Sequence, residues 1–301
     1  MFGECHAHLI MDGENYRKAV AVHANGVQEE DLRTKLAGYA ARGICFVRDG
    51  GDSHGISARA LQLAGEYGIT YRTPLFAIHK RGHYGGIVGF PFDTWKEYEQ
   101  LVGRVRAEGG HFIKIMCSGI LDFRRRGALT EPPVEREDIR EMIHIAHEEG
   151  FSVMAHVNGA KAVLDAVEAG VDSVEHGNFM DEDALQALAE SDAVWVPTYV
   201  TITNLIGSGR FEDTAIAGLV QEQGERIRRG FELGARIALG SDAGAFRVPH
   251  GEGLLDEYRE IRRLMLEAGG KEKESFAQFH LTEEELDGRL AEAEEQIRRK
   301  F

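Results

Sequence analysis

Residues 152–178 read SVMAHVNGAKAVLDAVEAGVDSVEHGN, and this stretch contains the whole architectural unit of the chain. A short apolar run ends at His156, an amphipathic helix occupies 160–169, Gly170 stops it, and a second short run ends at His176. Glycine is suited to that stop because it adopts the left-handed conformation that closes a helix. Two strands joined by a crossover helix lie parallel. The same unit of helix, glycine, strand and polar loop recurs between residues 27 and 270. Strands are expected at 5–10, 44–48, 71–78, 111–116, 152–157, 173–175, 194–198 and 236–239. Helices at 32–42, 58–67 and 136–149 end in the same manner at Gly43, Gly68 and Gly150. Eight such units without a glycine-rich phosphate fingerprint predict an α/β fold of the closed (β/α)8 TIM-barrel type and disfavour an open doubly wound sheet.

The length of 301 residues accommodates one barrel, which typically needs about 250. A barrel domain is therefore expected over 1–270, followed by a charged helical extension over 271–301. In that extension Thr282 and Glu285 form a capping box, and Leu286, Leu290, Ala293 and Ile297 share one helical stripe. The stripe is expected to pack on the outside of the barrel or on a second copy of the chain, a homo-oligomer. No uncharged apolar run approaches the roughly 18 residues of a membrane span, and the first 15 residues lack the pattern of a signal peptide. A net charge of -15 opposes phosphate backbones, so neither nucleic acid nor membrane is an expected partner. Cys5, Cys45 and Cys117 are scattered and odd in number, which points to a reducing, cytoplasmic setting.

Six polar residues stand at or near strand ends: His6, His8, Lys114, His156, His176 and Asp242. In a barrel they converge on one rim, where histidine and carboxylate suit a divalent metal ion. His6 and His8, two apart on a strand, point to the same face. Taken alone such a pair is also an ordinary polar strand end, a lone histidine is more often structural, and a helix cap is the lesser alternative for Asp242. Lys114 lies in the apolar run FIKIM, where an ammonium would lose its hydration. It would snorkel to the surface, form a Schiff base, or react with CO2 to give a carbamate. The carbamate suits a site with two cations, since its oxygens can bridge them where an ammonium would be repelled.

Together these motifs resemble the metal-dependent amidohydrolase superfamily, in its prolidase-like and imidazolonepropionase-like branch. The resemblance runs through HAHLIMDG, FVRDGG, FIKIMCSG, the 155–178 block, VPTYVT, ALGSDAG and PHGEGLLDE. It implies a distorted barrel with two divalent ions, usually zinc. His6, His8 and Asp242 would hold one ion, His156 and His176 the other, and carboxylated Lys114 would bridge them. His83 in KRGHYGG matches a family histidine that helps polarise the substrate carbonyl, although it also reads as a surface-loop residue. Three features depart from the family. The usual small β-sandwich is expected to be absent, Asn158 stands where prolidase-like relatives have a substrate-binding tyrosine, and Ser118, Gly119, Ile120 replace their SGG. Peptide specificity is therefore not implied.

The resemblance implies hydrolysis of an amide, peptide-like or cyclic amide C–N bond in a small-molecule substrate. A hydroxide shared by the two ions would attack, and Asp242 would carry the proton to the departing nitrogen. Asn158, Tyr199 and His250 follow barrel strands and are expected to line the pocket. Arg81, Arg124, Arg125, Arg126, Arg210 or Arg247 would grip a substrate carboxylate, or remain solvated loop charge. Lactonase chemistry, a Schiff-base aldolase using Lys114, and a non-catalytic metal-binding scaffold are the alternatives. A deaminase is disfavoured, because those relatives lack the bridging lysine and carry a glutamate where this chain has Val157 and Asn158.

Overall fold

A computed structural model describes residues 2–125, 127–266 and 279–301. Its strands are β1 (Glu4–Ala7), β2 (Phe46–Asp49), β3 (Thr70–Arg72), β4 (Ala77–Lys80), β5 (Gly89–Phe92), β6 (Ile113–Met116), β7 (Val153–Val157), β8 (Ser173–His176), β9 (Val194–Val196) and β10 (Arg236–Ile237). They form two sheets, ordered β1-β2-β3 and β10-β9-β8-β7-β6-β4-β5, with every strand pair parallel. The fold is parallel α/β and TIM-barrel-like. The small β-sandwich is not among the described residues, and no described helix is long and apolar enough to cross a membrane.

The segment expected as one strand over 71–78 is interrupted at 73–76. Pro74 offers no N–H there, and Leu75 takes a φ of 69°. The interruption lets β3 pair with β2 while β4 pairs with β6, so one stretch of chain links the two sheets. On the other side, residues beyond β10 bond to β1: Cys5 N to Leu239 O at 3.1 Å, Asp242 N to His6 O at 2.8 Å and His8 N to Ala243 O at 2.8 Å. The sheets are thereby joined at two places, through the β3–β4 connection and through the segment beyond β10. The additional strand β5 has no counterpart in the sequence expectation, because its GFPF composition with a central proline reads as a breaker. Proline is tolerated there because β5 is the last strand of its sheet.

The helices are α1 (Tyr16–Val22), α2 (Glu29–Ala40), α3 (Ile56–Leu63), α4 (Trp95–Glu108), α5 (Arg136–Glu148), α6 (Ala160–Glu168), α7 (Glu182–Glu190), α8 (Val200–Thr203), α9 (Asp213–Leu233), α10 (Glu252–Leu266) and α11 (Glu283–Lys300). The four glycines expected to stop helices have φ between 69° and 86°, the region where any other residue would be strained. The boundary expected at residue 270 lies outside the described residues. The capping box of Thr282 and Glu285 opens α11. Its stripe residues Ala293 and Ile297, with Phe301, pack on Cys5, Phe46, Phe112, Met154, Val194, Val196 and Ala238. Phe112, Met154 and Val194 precede Lys114, His156 and Thr198 along their strands. The helix thus covers the end of the barrel opposite to the residues of interest, and Leu286 and Leu290 join the larger core.

Candidate metal centre

Parallel pairing sets the strand ends level: Met116 is opposite His156, and Val157 is opposite His176. Strict alternation along β8 would turn Glu175 inward and His176 outward. His176 instead takes a φ of 65°, which breaks the alternation and lets both side chains face inward. Asp242 at 57° and Thr198 at 49° are left-handed as well. Such conformations cost about 1–3 kcal/mol each and gather where function demands them. The His176 carbonyl is fixed by the Trp195 indole and the Gln223 amide, both at 3.0 Å.

The result is a tight cluster. His6 Nε2 lies 3.4 Å from His8 Nε2, and Asp242 Oδ1 lies 3.6 Å and 3.7 Å from those two nitrogens. Among the described residues this is the three-donor set whose ligand atoms fall within 4.8 Å of one another. The rings of His6 and His176 are 5.1 Å apart, and those of His156 and His176 are 4.5 Å apart. Lys114 is 1% exposed, and its Nζ has no hydrogen-bond partner among the described residues. Asp242 Oδ1 is likewise buried without one.

Supporting groups orient these side chains. His6 Nδ1 is 2.7 Å from Glu175 Oε2, and the Arg48 guanidinium, fully buried, bonds Glu175 at 2.8 Å and the Cys5 carbonyl at 2.7 Å. Ser173 also donates to Glu175. His176 Nδ1 meets Thr198 Oγ1 at 2.7 Å, and His8 Nδ1 meets the Gly51 carbonyl at 3.3 Å. Glu175, Arg48 and Thr198 were missed from sequence although they lie in the motif blocks VEHGN, FVRDGG and VPTYVT. A buried carboxylate behind a histidine that faces outward with its other nitrogen is the usual support of a metal ligand.

Burial dominates the electrostatics. It lowers His8 and His156 to about 3, with Lys114 as the next cause, and holds His6 and His176 well below the ordinary histidine value. All four imidazoles are therefore neutral near pH 7, the form that donates a lone pair. Burial lowers the Lys114 ammonium to about 8 and raises Asp242 to about 7, the latter opposed by Lys114. The donor set fits a divalent ion. A tetrahedral centre with bonds of about 2.0–2.2 Å separates its ligand atoms by roughly 3.4 Å, close to the spacing of His6, His8 and Asp242. The orphaned Lys114 and Asp242 atoms are the further signs of a group to be satisfied.

Among the residues expected to bind substrate, Asn158 borders the cluster, its Nδ2 lying 3.5 Å from His156 Nε2. The Asn158 side chain donates to the Gly119 carbonyl at 3.1 Å and accepts from Asn178. Tyr199 lies in the core, its hydroxyl donating to the Val220 carbonyl at 2.8 Å. His250 uses one ring nitrogen on Tyr39 and the other on the Met11 carbonyl. Arg81 is an exposed partner of Asp93, and Arg125 of Asp122. Arg210 lies over Phe246 at 4.7 Å, beside the Phe123 and Phe211 pair. Arg126 lies outside the described residues. His83 is half-buried in the loop after β4, its Nδ1 covered and without a hydrogen-bond partner among the described residues.

Residues 89–283 match the model of the amidohydrolase family. The chain is 29% identical over 191 residues to an uncharacterized protein of Mycobacterium tuberculosis, across 60% of this chain and 50% of that protein. It is 24% identical over 189 residues to ochratoxinase of Aspergillus niger, across 60% of this chain and 37% of that enzyme. The chain thus spans half or less of the length of these curated relatives. Among solved structures, a Xaa-Pro dipeptidase with bound methionine superposes with a TM-score of 0.71 at 19% identity, over 99% of this chain and 75% of that one. The ochratoxinase structure gives 0.65 at 18%, over 81% and 63%. At such identities the superpositions establish the fold alone. The family match extends over well more than half of the sequence, and the chain belongs to the amidohydrolase family.

Proposed function

We propose that this protein is a metal-dependent hydrolase of an amide, peptide-like or cyclic amide C–N bond. The observation that carries the reading is a buried lysine amine with no hydrogen-bond partner among the described residues, set among four neutral imidazoles beside a carboxylate that completes a three-donor set. His6, His8 and Asp242 would hold one divalent ion, and His156 and His176 a second. Zinc is the ion the family resemblance suggests. When bound, the ions act as Lewis acids that bring the pKa of water toward neutrality and polarise a carbonyl.

The residues around them do the positioning and proton handling. The neutral Lys114 amine would add to CO2, forming an N–C bond and releasing one proton, and the resulting carbamate would add anionic oxygens to the carboxylate that Asp242 supplies. Asp242 takes the proton of the attacking water and returns it to the leaving nitrogen. Burial of the cluster excludes bulk water, which strengthens each of these interactions. His83 is assigned to the substrate carbonyl through its position in the loop after β4. Asn158, Tyr199 and His250 keep the structural contacts described above.

Metal analysis tests the reading. Protein reconstituted with zinc and bicarbonate is expected to hold about two ions per chain, and chelation is expected to abolish hydrolysis of N-acyl amino acids, dipeptides or cyclic amides. No bound metal, together with covalent trapping of Lys114 by borohydride and a carbonyl compound, would instead identify a Schiff-base enzyme.

The support behind His6 yields a second prediction. Glu175→Gln leaves the Arg48 guanidinium without its counter-charge and weakens the polarisation of His6. Metal affinity is expected to fall by roughly 10- to 100-fold. Competition with a zinc chelator measures it, and unchanged affinity would remove Glu175 from the site.

A further inference from the structure

The helix α11 closes the end of the barrel opposite to the metal centre, and its contacts reach the strands that carry the cluster. Glu294 Oε2 accepts the Gly3 N–H at 2.8 Å just before β1, and Ser152 Oγ donates to the Lys300 carbonyl at 2.8 Å just before β7. Phe301 follows and is buried. Its ring meets Phe112 edge to face, with centroids 5.1 Å apart and an interplanar angle of 88°. The Arg48 guanidinium lies over the same ring, its Cζ 4.5 Å from the centroid. Arg48 is fully buried, with Nε on the Cys5 carbonyl at 2.7 Å and Nη2 on Ser173 at 3.1 Å and Glu175 at 2.8 Å. Nη1 is buried without a hydrogen-bond partner among the described residues. A desolvated cation is attracted by the electron-rich face of an aromatic ring, most strongly where water is excluded. Glu175 in turn meets His6 Nδ1 at 2.7 Å, so one line of contacts runs from α11 to a nitrogen donor of the cluster.

We infer that Phe301 is a positioning residue for the metal centre: its ring steadies the Arg48 cation, which fixes Glu175 and through it the orientation and tautomer of His6. Glu175 accepts the hydrogen of His6 Nδ1, so Nε2 keeps the lone pair that faces His8 and Asp242. A buried ion pair holds its geometry only while its members are satisfied, and loss of the ring lets water reach the guanidinium and loosens its hold on Glu175. The inference rests on the metal-binding part of the reading above.

Phe301→Leu keeps an apolar side chain and removes the ring, whereas pentafluorophenylalanine at the same position keeps the shape and makes the ring face electron-poor. Zinc affinity of the bicarbonate-treated full chain is measured by chelator competition, and nitrogen NMR shifts of the imidazoles in metal-free protein report their tautomers. Both variants are expected to bind zinc about tenfold more weakly, with His6 no longer held in one tautomer. Combined with Glu175→Gln, neither change at 301 is expected to weaken zinc further, because the line of contacts is already cut. A role in packing alone predicts the reverse. Wild-type affinity in the fluorinated variant, or a loss that adds in full to that of Glu175→Gln, would overturn the inference and leave the hydrolase reading standing. Should the leucine variant fail to fold, the fluorinated one, which preserves the packing, decides. A wild type that binds no zinc would count against the metal-dependent reading, and the His6 tautomer in metal-free protein would still decide the role of Phe301.

Discussion

Asp242→Asn is expected to lower kcat by about 10²–10⁴-fold, the range lost when a positioned general base is removed. The substitution isolates the chemistry from the fold for a reason specific to this position. Asp242 has a φ of 57°, and asparagine tolerates the left-handed region as well as aspartate does. Its backbone bonds, Asp242 N to His6 O at 2.8 Å and Ala245 N to Asp242 O at 3.0 Å, are independent of the side chain. The amide oxygen can still face the His6 and His8 nitrogens, but the amide accepts no proton. Steady-state kinetics, zinc content and circular dichroism together check the prediction. A variant that retains zinc and turns over within about threefold of wild type would remove Asp242 from the proton-transfer role.

Lys114→Met is expected to produce opposite effects on activity and on stability. Without the amine there is no carbamate, so the second ion and hydrolysis are both expected to be lost. In metal-free, bicarbonate-free protein, however, the same substitution removes a buried ammonium that has no hydrogen-bond partner among the described residues. Its pKa falls from 10.5 to about 8 through burial, so folding is penalised where the lysine is charged in both states. The penalty is complete below pH 8 and disappears as the pH rises past 10.5, where the amine is neutral folded or unfolded. The methionine variant is therefore expected to be more stable by roughly 3 kcal/mol near pH 7, an advantage that vanishes above pH 10.5. Urea unfolding across this range measures it. A variant less stable than wild type at pH 7 would show that Lys114 contributes to the fold, and the assignment of a functional amine would fail.

Much of the architecture was legible because period, glycine stops and strand-end histidines are local properties. Gly43, Gly68, Gly150 and Gly170 end helices as expected, and 152–178 folds as strand, helix and strand. The third strand was not legible as two pieces, and β5 was not legible at all. Both depend on which neighbour each edge meets, as the β2 and β6 contacts of residues 70–80 demonstrate.

The sequence by itself determined which residue types stand at the strand ends, because parallel strands with crossover helices bring their carboxyl ends to one face whatever the details between them. Only the tertiary structure decided which of those residues turn inward together. Left-handed backbone at His176 and Asp242 and the Glu175 and Arg48 pair behind His6 arise from contacts between segments far apart in the chain. It also decided which partners Asn158, Tyr199 and His250 meet, since a buried polar group bonds to what the packing brings beside it.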